Sequence, residues 1–207
     1  MLDNKGFDLW ANGYDKSVNL SDEENTYPFA GYKEVLNKIY GIVHEKSNGT
    51  ILDIGFGTGV LTQKLYNDGY IIYGIDFSEK MIEIARSKMP KAVLLQQDFS
   101  KGLPDIILDK KFDFIICTYA IHHLSNHEKL SFINLLKNLL TQNGKVLIGD
   151  IAFETRDEML SCQYSFRDDW DDDEVYIVFD ELRKSFEHRN IEFQKISFCA
   201  GIITVNN

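Results

Sequence analysis

The chain of 207 residues has only three cysteines, Cys117, Cys162 and Cys199, an odd number at wide spacing. That pattern fits reduced thiols in a cytoplasm better than a disulfide framework. CxxC and HxxxH spacings are absent, so no zinc site and no metal is expected. The opening "MLDNKGFDLW" lacks a basic region followed by an apolar stretch, so a secretory leader is not expected either. The longest apolar runs, such as "FIIC" and "VLIG", fall far short of a membrane span. Basic patches are missing as well: Lys110-Lys111 and Arg183-Lys184 are isolated pairs in a chain of net charge −10. A polyanion would be repelled, which argues against nucleic acid as a partner. There is no internal repeat and no low-complexity linker. The length suits one α/β domain with a substantial core.

What is present is an alternation of strands and helices. Residues 1–16 read as a short amphipathic helix, with Phe7, Trp10, Ala11 and Tyr14 on one side. From Tyr32 the apolar positions Val35, Leu36, Ile39, Tyr40 and Val43 recur at helical spacing, and Ser47-Asn48-Gly49 ends that helix. Strands are expected at Thr50–Ile54, Tyr70–Ile75, Ala92–Gln96, Phe112–Thr118 and Lys145–Asp150. Helices are expected at Thr58–Asn67, Ser78–Lys88 and His127–Leu140, the last capped by Asn143-Gly144. Parallel strands need crossover helices, so this order implies a parallel sheet covered on both faces. After a helix near Asp180–Arg189 come "IEFQKISF" and "IITVNN", joined by Cys199-Ala200-Gly201. That link is too short for a crossover and requires an antiparallel hairpin. The expected fold is therefore a Rossmann-like, mostly parallel seven-stranded sheet with a C-terminal antiparallel hairpin. Residues 1–48 would form a helical cap, 49–152 a cofactor-binding core, and 153–207 a lid insertion and the hairpin.

The stretch "ILDIGFGTGVL" places three glycines between the first strand and its helix. Gly55 permits a sharp turn, Gly57 removes a side chain where a ligand would approach, and Gly59 allows close packing at the helix start. The backbone N–H groups there face any ligand at the strand ends. Asp76 ends the second strand and can accept both hydroxyls of an adenosine ribose. Phe77 and Met81 can lie against a purine or pack in the core. Asp98, followed by Phe99, ends the third strand, where a carboxylate can accept from an adenine amine. Asp53, just before the turn, can orient it or meet an ammonium group. The pieces assemble a nucleoside site at the switch point of the sheet. By themselves they leave hydride transfer and methyl transfer both open.

The segments "LDIGFGTG", "YGIDFSEKMIEIAR", "QQDF", "FDFIICTYAIHHL" and "NGKVLIGD" together resemble the class I S-adenosylmethionine-dependent methyltransferases. The glycine spacing is GxGxG, not the GxGxxG of dehydrogenases, and too little chain remains for a second nucleotide half. With its opening "FDLWANGYDKSV", the chain looks most like the YrrT-like group of methyltransferases. The resemblance implies S-adenosylmethionine as cofactor, with Gly55, Asp76 and Asp98 as contacts and Tyr14 reaching the methionine end or the acceptor. The acid at the second position is often Glu in that group; Asp76 is shorter. A nicotinamide oxidoreductase and a non-catalytic S-adenosylmethionine-binding module stand as the alternatives.

Candidates for handling the acceptor follow the fourth strand in "CTYAIHHL": His122 or His123 can serve as base or anchor near neutral pH. The equally simple reading is a helix start or a packing residue. The segment lacks the [DNS]-P-P-[FY] pattern of nucleic-acid amine methylation, Cys117 has no preceding proline, and Asp150 alone makes no metal-binding set. A small-molecule acceptor is the expectation. One segment stands apart: six of the seven residues of Asp168–Glu174 are acidic. It reads as a solvated loop or as an electrostatic lure for a cationic acceptor.

Overall fold

The computed structural model describes Val18 and residues 22–186 and 190–207. The helix expected over residues 1–16, and Tyr14 with it, lies outside the described residues. Eight strands are formed: β1 (Thr50–Ile54), β2 (Ile71–Asp76), β3 (Val93–Gln96), β4 (Phe112–Thr118), β5 (Leu140–Phe153), β6 (Ile177–Val178), β7 (Ile191–Lys195) and β8 (Ala200–Asn206). The main path runs β3-β2-β1-β4-β5-β8-β7. Strands β1 to β5 pair in parallel, while β8 runs antiparallel to both β5 and β7. The short β6 pairs in parallel with the far end of β5, Ala152 opposite Ile177.

Helices cover both faces, as parallel strands require. On one side lie α1 (Tyr32–His44), α2 (Val60–Asn67) and α3 (Glu79–Lys88). On the other lie α4 (Asp105–Leu108), α5 (Asn126–Asn138) and α7 (Phe179–Lys184), while α6 (Arg156–Ser165) follows β5. The period-2 geometry of the strands divides the core. Ile51 of β1 faces the α1–α3 layer, whereas Leu52 and Ile54 face different neighbours in the α5 layer or beside it. Helix α1 forms where the apolar spacing places it, and buries Val35, Leu36, Ile39 and Val43. Helix α5 starts at a capping box: Ser125 accepts from the Glu128 N–H, and the Glu128 carboxylate accepts from the Ser125 N–H.

Most boundaries fall within two residues of the sequence expectation, and four differences are larger or change the pairing. Helix α5 ends at Asn138, and Leu140 already belongs to β5, opposite Phe112. Leu139 caps the helix and Leu140 enters the strand, both buried, and a register shift between Phe112 and Phe114 absorbs the irregular start of β5. Strand β5 runs on to Phe153, beyond Asp150, where β6 gives it a partner. The C-terminal hairpin turns at residues 196–199, and Ala200 and Gly201 are in β8, opposite Ile151 and Asp150. The helix expected near Asp180–Arg189 begins at Phe179 and ends at Lys184. Among the described residues, no helix is long and apolar enough to cross a membrane.

Candidate active site

Strand β1 brings Asp53 to the carboxyl edge of the sheet. The chain then turns through Gly55, Gly57 and Gly59 with φ of +68°, +57° and +80°. L side chains avoid this region, so the turn selects glycine. A Cβ on Gly55 would stand 2.6 Å from the Cβ of Ala120, which shows how closely the loop after β4 leans on the turn. At Gly57 a Cβ would meet nothing within 4 Å, so this stretch of backbone borders open space. Gly59 packs beside Met89 and Ala85 at the start of α2.

Three aspartates stand at or just beyond the ends of the first three strands: Asp53 one residue before the end of β1, Asp76 at the end of β2 and Asp98 two residues past β3. The carboxylate of Asp76 accepts from the Gly57 N–H at 2.8 Å and from the Ser78 N–H at 2.9 Å, tying the turn to α3. Asp98 accepts from the Ser100 N–H at 3.1 Å and meets Lys101 Nζ at 2.9 Å. Burial pushes its pKa up, but the bonds from Ser100 and Lys101 outweigh this and hold it below the usual carboxylate value. Asp53 is 1% exposed. Its Oδ2 accepts from the Thr62 hydroxyl at 2.5 Å, while its Oδ1 is buried without a hydrogen-bond partner. Burial raises its pKa to about 7; the Thr62 bond opposes that shift and the nearby Asp76 charge adds to it. A buried acceptor left unsatisfied is costly, so this oxygen is suited to a donor that a ligand brings.

A cavity of about 30 Å³ opens at the turn, bounded by Asp53, Gly55, Gly57, Thr118 and Tyr119. It shares Tyr32, Leu36, Val60 and Leu61 with a cleft of about 410 Å³ between α1 and α2. Of the other residues expected at the nucleoside, Phe77 is half-buried and its carbonyl accepts from Gln96 Nε2 at 3.1 Å. Met81 is buried on α3, and Phe99 packs on Phe132 with ring centroids 5.3 Å apart.

The second half of the site is built on the loop after β4. Tyr119 is a non-glycine residue at φ +49°, a strained conformation beside the turn. His122 is buried, and its Nδ1 lies 2.7 Å from Asp150 Oδ1 at the sheet end of β5. Asp150 also accepts from the N–H groups of Ile121 (3.0 Å) and Ile151 (2.7 Å). The other ring nitrogen, Nε2, lies 3.5 Å from Glu174 Oε1. Burial pulls the His122 pKa down, but the Asp150 carboxylate overrides it and leaves a net upward shift. His123 stands edge-on to His122 at 4.3 Å; burial and the His122 charge lower its pKa to about 4.

The segment carrying Glu174 is fastened here. The Val175 N–H donates to the His122 carbonyl at 2.9 Å. The buried Lys129 Nζ donates to the carbonyls of Leu124 and Val175. Tyr27, Trp170 and Tyr176 pack together above the cluster, with Trp170 stacked on Tyr27 at 5.3 Å and edge-on to Tyr176 at 4.7 Å. Asp168, Asp169, Asp171, Asp172 and Asp173 are exposed, and Glu174 alone of the acidic run turns inward. Sequence reading singled out His122 and His123 and placed Glu174 only in the acidic run, while Lys129 and Tyr176 were not singled out. No local pattern links Glu174 to His122; only the fold does.

The family profile described as a methyltransferase domain matches residues 51–144. An uncharacterised methyltransferase of Alkaliphilus oremlandii is 38% identical over 154 residues, covering 74% of this chain and 69% of the relative. One of Oceanobacillus iheyensis is 32% identical over 207 residues, covering 96% and 94%. Magnesium protoporphyrin IX methyltransferase of Synechocystis PCC 6803 with bound S-adenosylhomocysteine (SAH) shares the fold, with TM-score 0.66, 19% identity and coverage of 86% and 84%. The DhpI–SAH complex does so with TM-score 0.70, 16% identity and coverage of 97% and 93%.

The fold is that of the Rossmann-like methyltransferases. The chain belongs to the class I S-adenosylmethionine-dependent methyltransferase family. Its cofactor is S-adenosylmethionine and its reaction is methyl transfer, so hydride transfer falls away.

Proposed function

We propose that this enzyme methylates a small molecule whose nucleophilic atom is presented at the carboxyl ends of β4 and β5. One observation carries the reading: the loop that leans on Gly55 through Ala120 is the loop that brings His122 and His123 to the sheet edge. The cofactor turn and the polar cluster are therefore neighbours. When bound, the cofactor supplies a methyl group activated by its sulfonium. The chain's own task is to hold the reactants in line, and positioning of this kind supplies roughly 7–11 kcal/mol. Gly55, Gly57 and Gly59 offer backbone to the cofactor, Asp76 its ribose contact, Asp98 its adenine contact and Asp53 its ammonium contact. Tyr14 is assigned to the methionine end or the acceptor. His122 and His123 anchor the acceptor's heteroatom as its proton leaves. Tyr27, Trp170 and Tyr176 close over the cluster, which favours a compact acceptor over a polymer. Residence in the cytoplasm is supported by the three buried, unpaired thiols.

The test is a screen of small alcohols, thiols, amines and carboxylates for acceptor-dependent SAH release. A hit whose turnover falls in His122 variants supports the reading. Activity confined to RNA or protein acceptors would overturn it.

Two further outcomes are expected from the cofactor half. Asp76→Ala should weaken SAH by about 2–3 kcal/mol, because hydrogen bonds to a charged acceptor are lost. The loss includes loosening of the Gly57 N–H that Asp76 holds. A change under threefold by titration calorimetry would remove Asp76 from the ribose. For Asp53, the ligand-free carboxyl has a pKa of about 7 in a setting of Thr62 and Asp76. An ammonium needs the ionised form, so below pH 7 binding must release a proton. SAH affinity should rise about tenfold per pH unit up to roughly pH 7 and then level off. Asp53→Asn should flatten that profile; an unchanged slope in the variant would contradict the ammonium contact.

A further inference from the structure

We propose that His122, His123 and Glu174 form a binding site for one divalent transition-metal ion. The catalytic consequence rests on the acceptor reading above; the binding itself does not. The three side chains each offer a ligand atom, and these atoms lie within 4.8 Å of one another. Asp150 takes Nδ1 of His122 at 2.7 Å and leaves Nε2 facing Glu174 Oε1 at 3.5 Å. In the tautomer with the proton on Nδ1, a lone pair faces a carboxylate, and either a second proton on the ring or a metal cation can fill the gap. Two ligands about 2.0–2.1 Å from a tetrahedral ion stand roughly 3.4 Å apart, which matches the His122–Glu174 separation. The widest pair must close by up to about 1.4 Å to the same spacing, a movement assigned to side-chain rotation at the half-buried His123 and Glu174.

The surroundings are those of a metal centre. A carboxylate behind a ligating imidazole fixes its tautomer and raises its basicity, and Asp150 is so placed. Asp150 is itself held by the Ile121 and Ile151 N–H groups, so the support is rigid. The donor set of two histidines and one glutamate leaves a fourth position open, as in catalytic zinc sites. His122 is buried, and the half-buried His123 and Glu174 mark the side of the cluster nearer solvent. An acceptor hydroxyl or thiol binding there would lose its proton to solvent more readily. Its oxygen or sulfur would then form the bond to the methyl group as the methyl–sulfur bond breaks. The fastening of residue 175 to the His122 carbonyl and to Lys129 also gains a purpose, since it sets Glu174 against the histidines.

The experiment is a titration of chelator-stripped full-length protein with Zn²⁺ by calorimetry and with Co²⁺ by visible absorption. One ion per chain is expected, with a tetrahedral Co²⁺ spectrum lacking thiolate bands. His123→Ala and Glu174→Gln should each weaken binding at least tenfold. Asp150→Asn should weaken it about 10–100-fold from behind the imidazole. The triple variant Asp168→Asn, Asp169→Asn, Asp172→Asn should bind like wild type. Absence of a stoichiometric site, or binding lost in the triple variant and kept in His123→Ala and Glu174→Gln, would overturn the proposal. Full turnover of an identified acceptor by stripped protein would overturn the ion's catalytic role while leaving the acceptor reading intact. SAH titrated into the same stripped samples confirms that the cofactor half is folded in each variant.

Discussion

Gly57→Val is expected to abolish SAH binding, lowering affinity at least a hundredfold, while the protein still folds. Gly57 sits at φ +57° with open space beyond its Cα, at the mouth of the cavity beside Asp53. A branched side chain there would occupy the space that the cofactor needs against the backbone. It would also press against a conformation that L residues avoid, at a cost of about 1–2 kcal/mol in stability. The two effects separate with a control. Gly69 has φ +94° and likewise nothing within 4 Å of an added Cβ, but lies in the link between α2 and β2. Gly69→Ala and Gly57→Ala should lose similar stability in thermal unfolding, and only the second should lose SAH affinity. Wild-type affinity in Gly57→Val by calorimetry would remove the turn from the cofactor site.

How much of this was legible in the sequence depends on the range of the interaction that fixes each feature. The glycine turn, the strand-end aspartates and the α1 stripe are local patterns, and they fold where the residues place them. The end of α5 was misplaced because Leu139 and Leu140 satisfy a helical stripe and a strand equally well. Tertiary pairing of Leu140 with Phe112 decides for the strand. The hairpin was predicted from the short link between two strand-like runs, yet its turn fell a few residues earlier. Gly201 is needed in the strand itself, since a Cβ there would collide with the Phe193 ring at 2.2 Å. The β6 pairing and the inward turn of Glu174 are contacts between residues far apart in the chain. The acidic run therefore looked uniform in sequence, although one of its members has a different environment from the rest.

That environment gives the second large effect. His122→Asn should lower kcat by about 10²–10⁴-fold with an identified acceptor, while the Kd for SAH stays within twofold of wild type. Asparagine is chosen because its amide N–H can still serve Asp150, so a buried carboxylate is not stranded; His122→Ala would strand it and confuse activity with folding. What asparagine cannot supply is the Nε2 that faces Glu174. Asp150→Asn tests the same unit from behind. Its oxygens now accept from His122, Ile121 and Ile151, and an amide in their place would set an N–H against N–H donors. The imidazole would turn to its other tautomer and lose the free Nε2, so kcat should fall by at least a hundredfold, with about 1–3 kcal/mol of stability. Because both changes disable one nitrogen, the double variant should be scarcely slower than His122→Asn alone. Rates that multiply would mean that Asp150 acts independently of His122, for example by shaping the Ile121 turn. A His122→Asn enzyme with wild-type kcat would place the acceptor elsewhere, on the side of the turn that faces the cleft between α1 and α2.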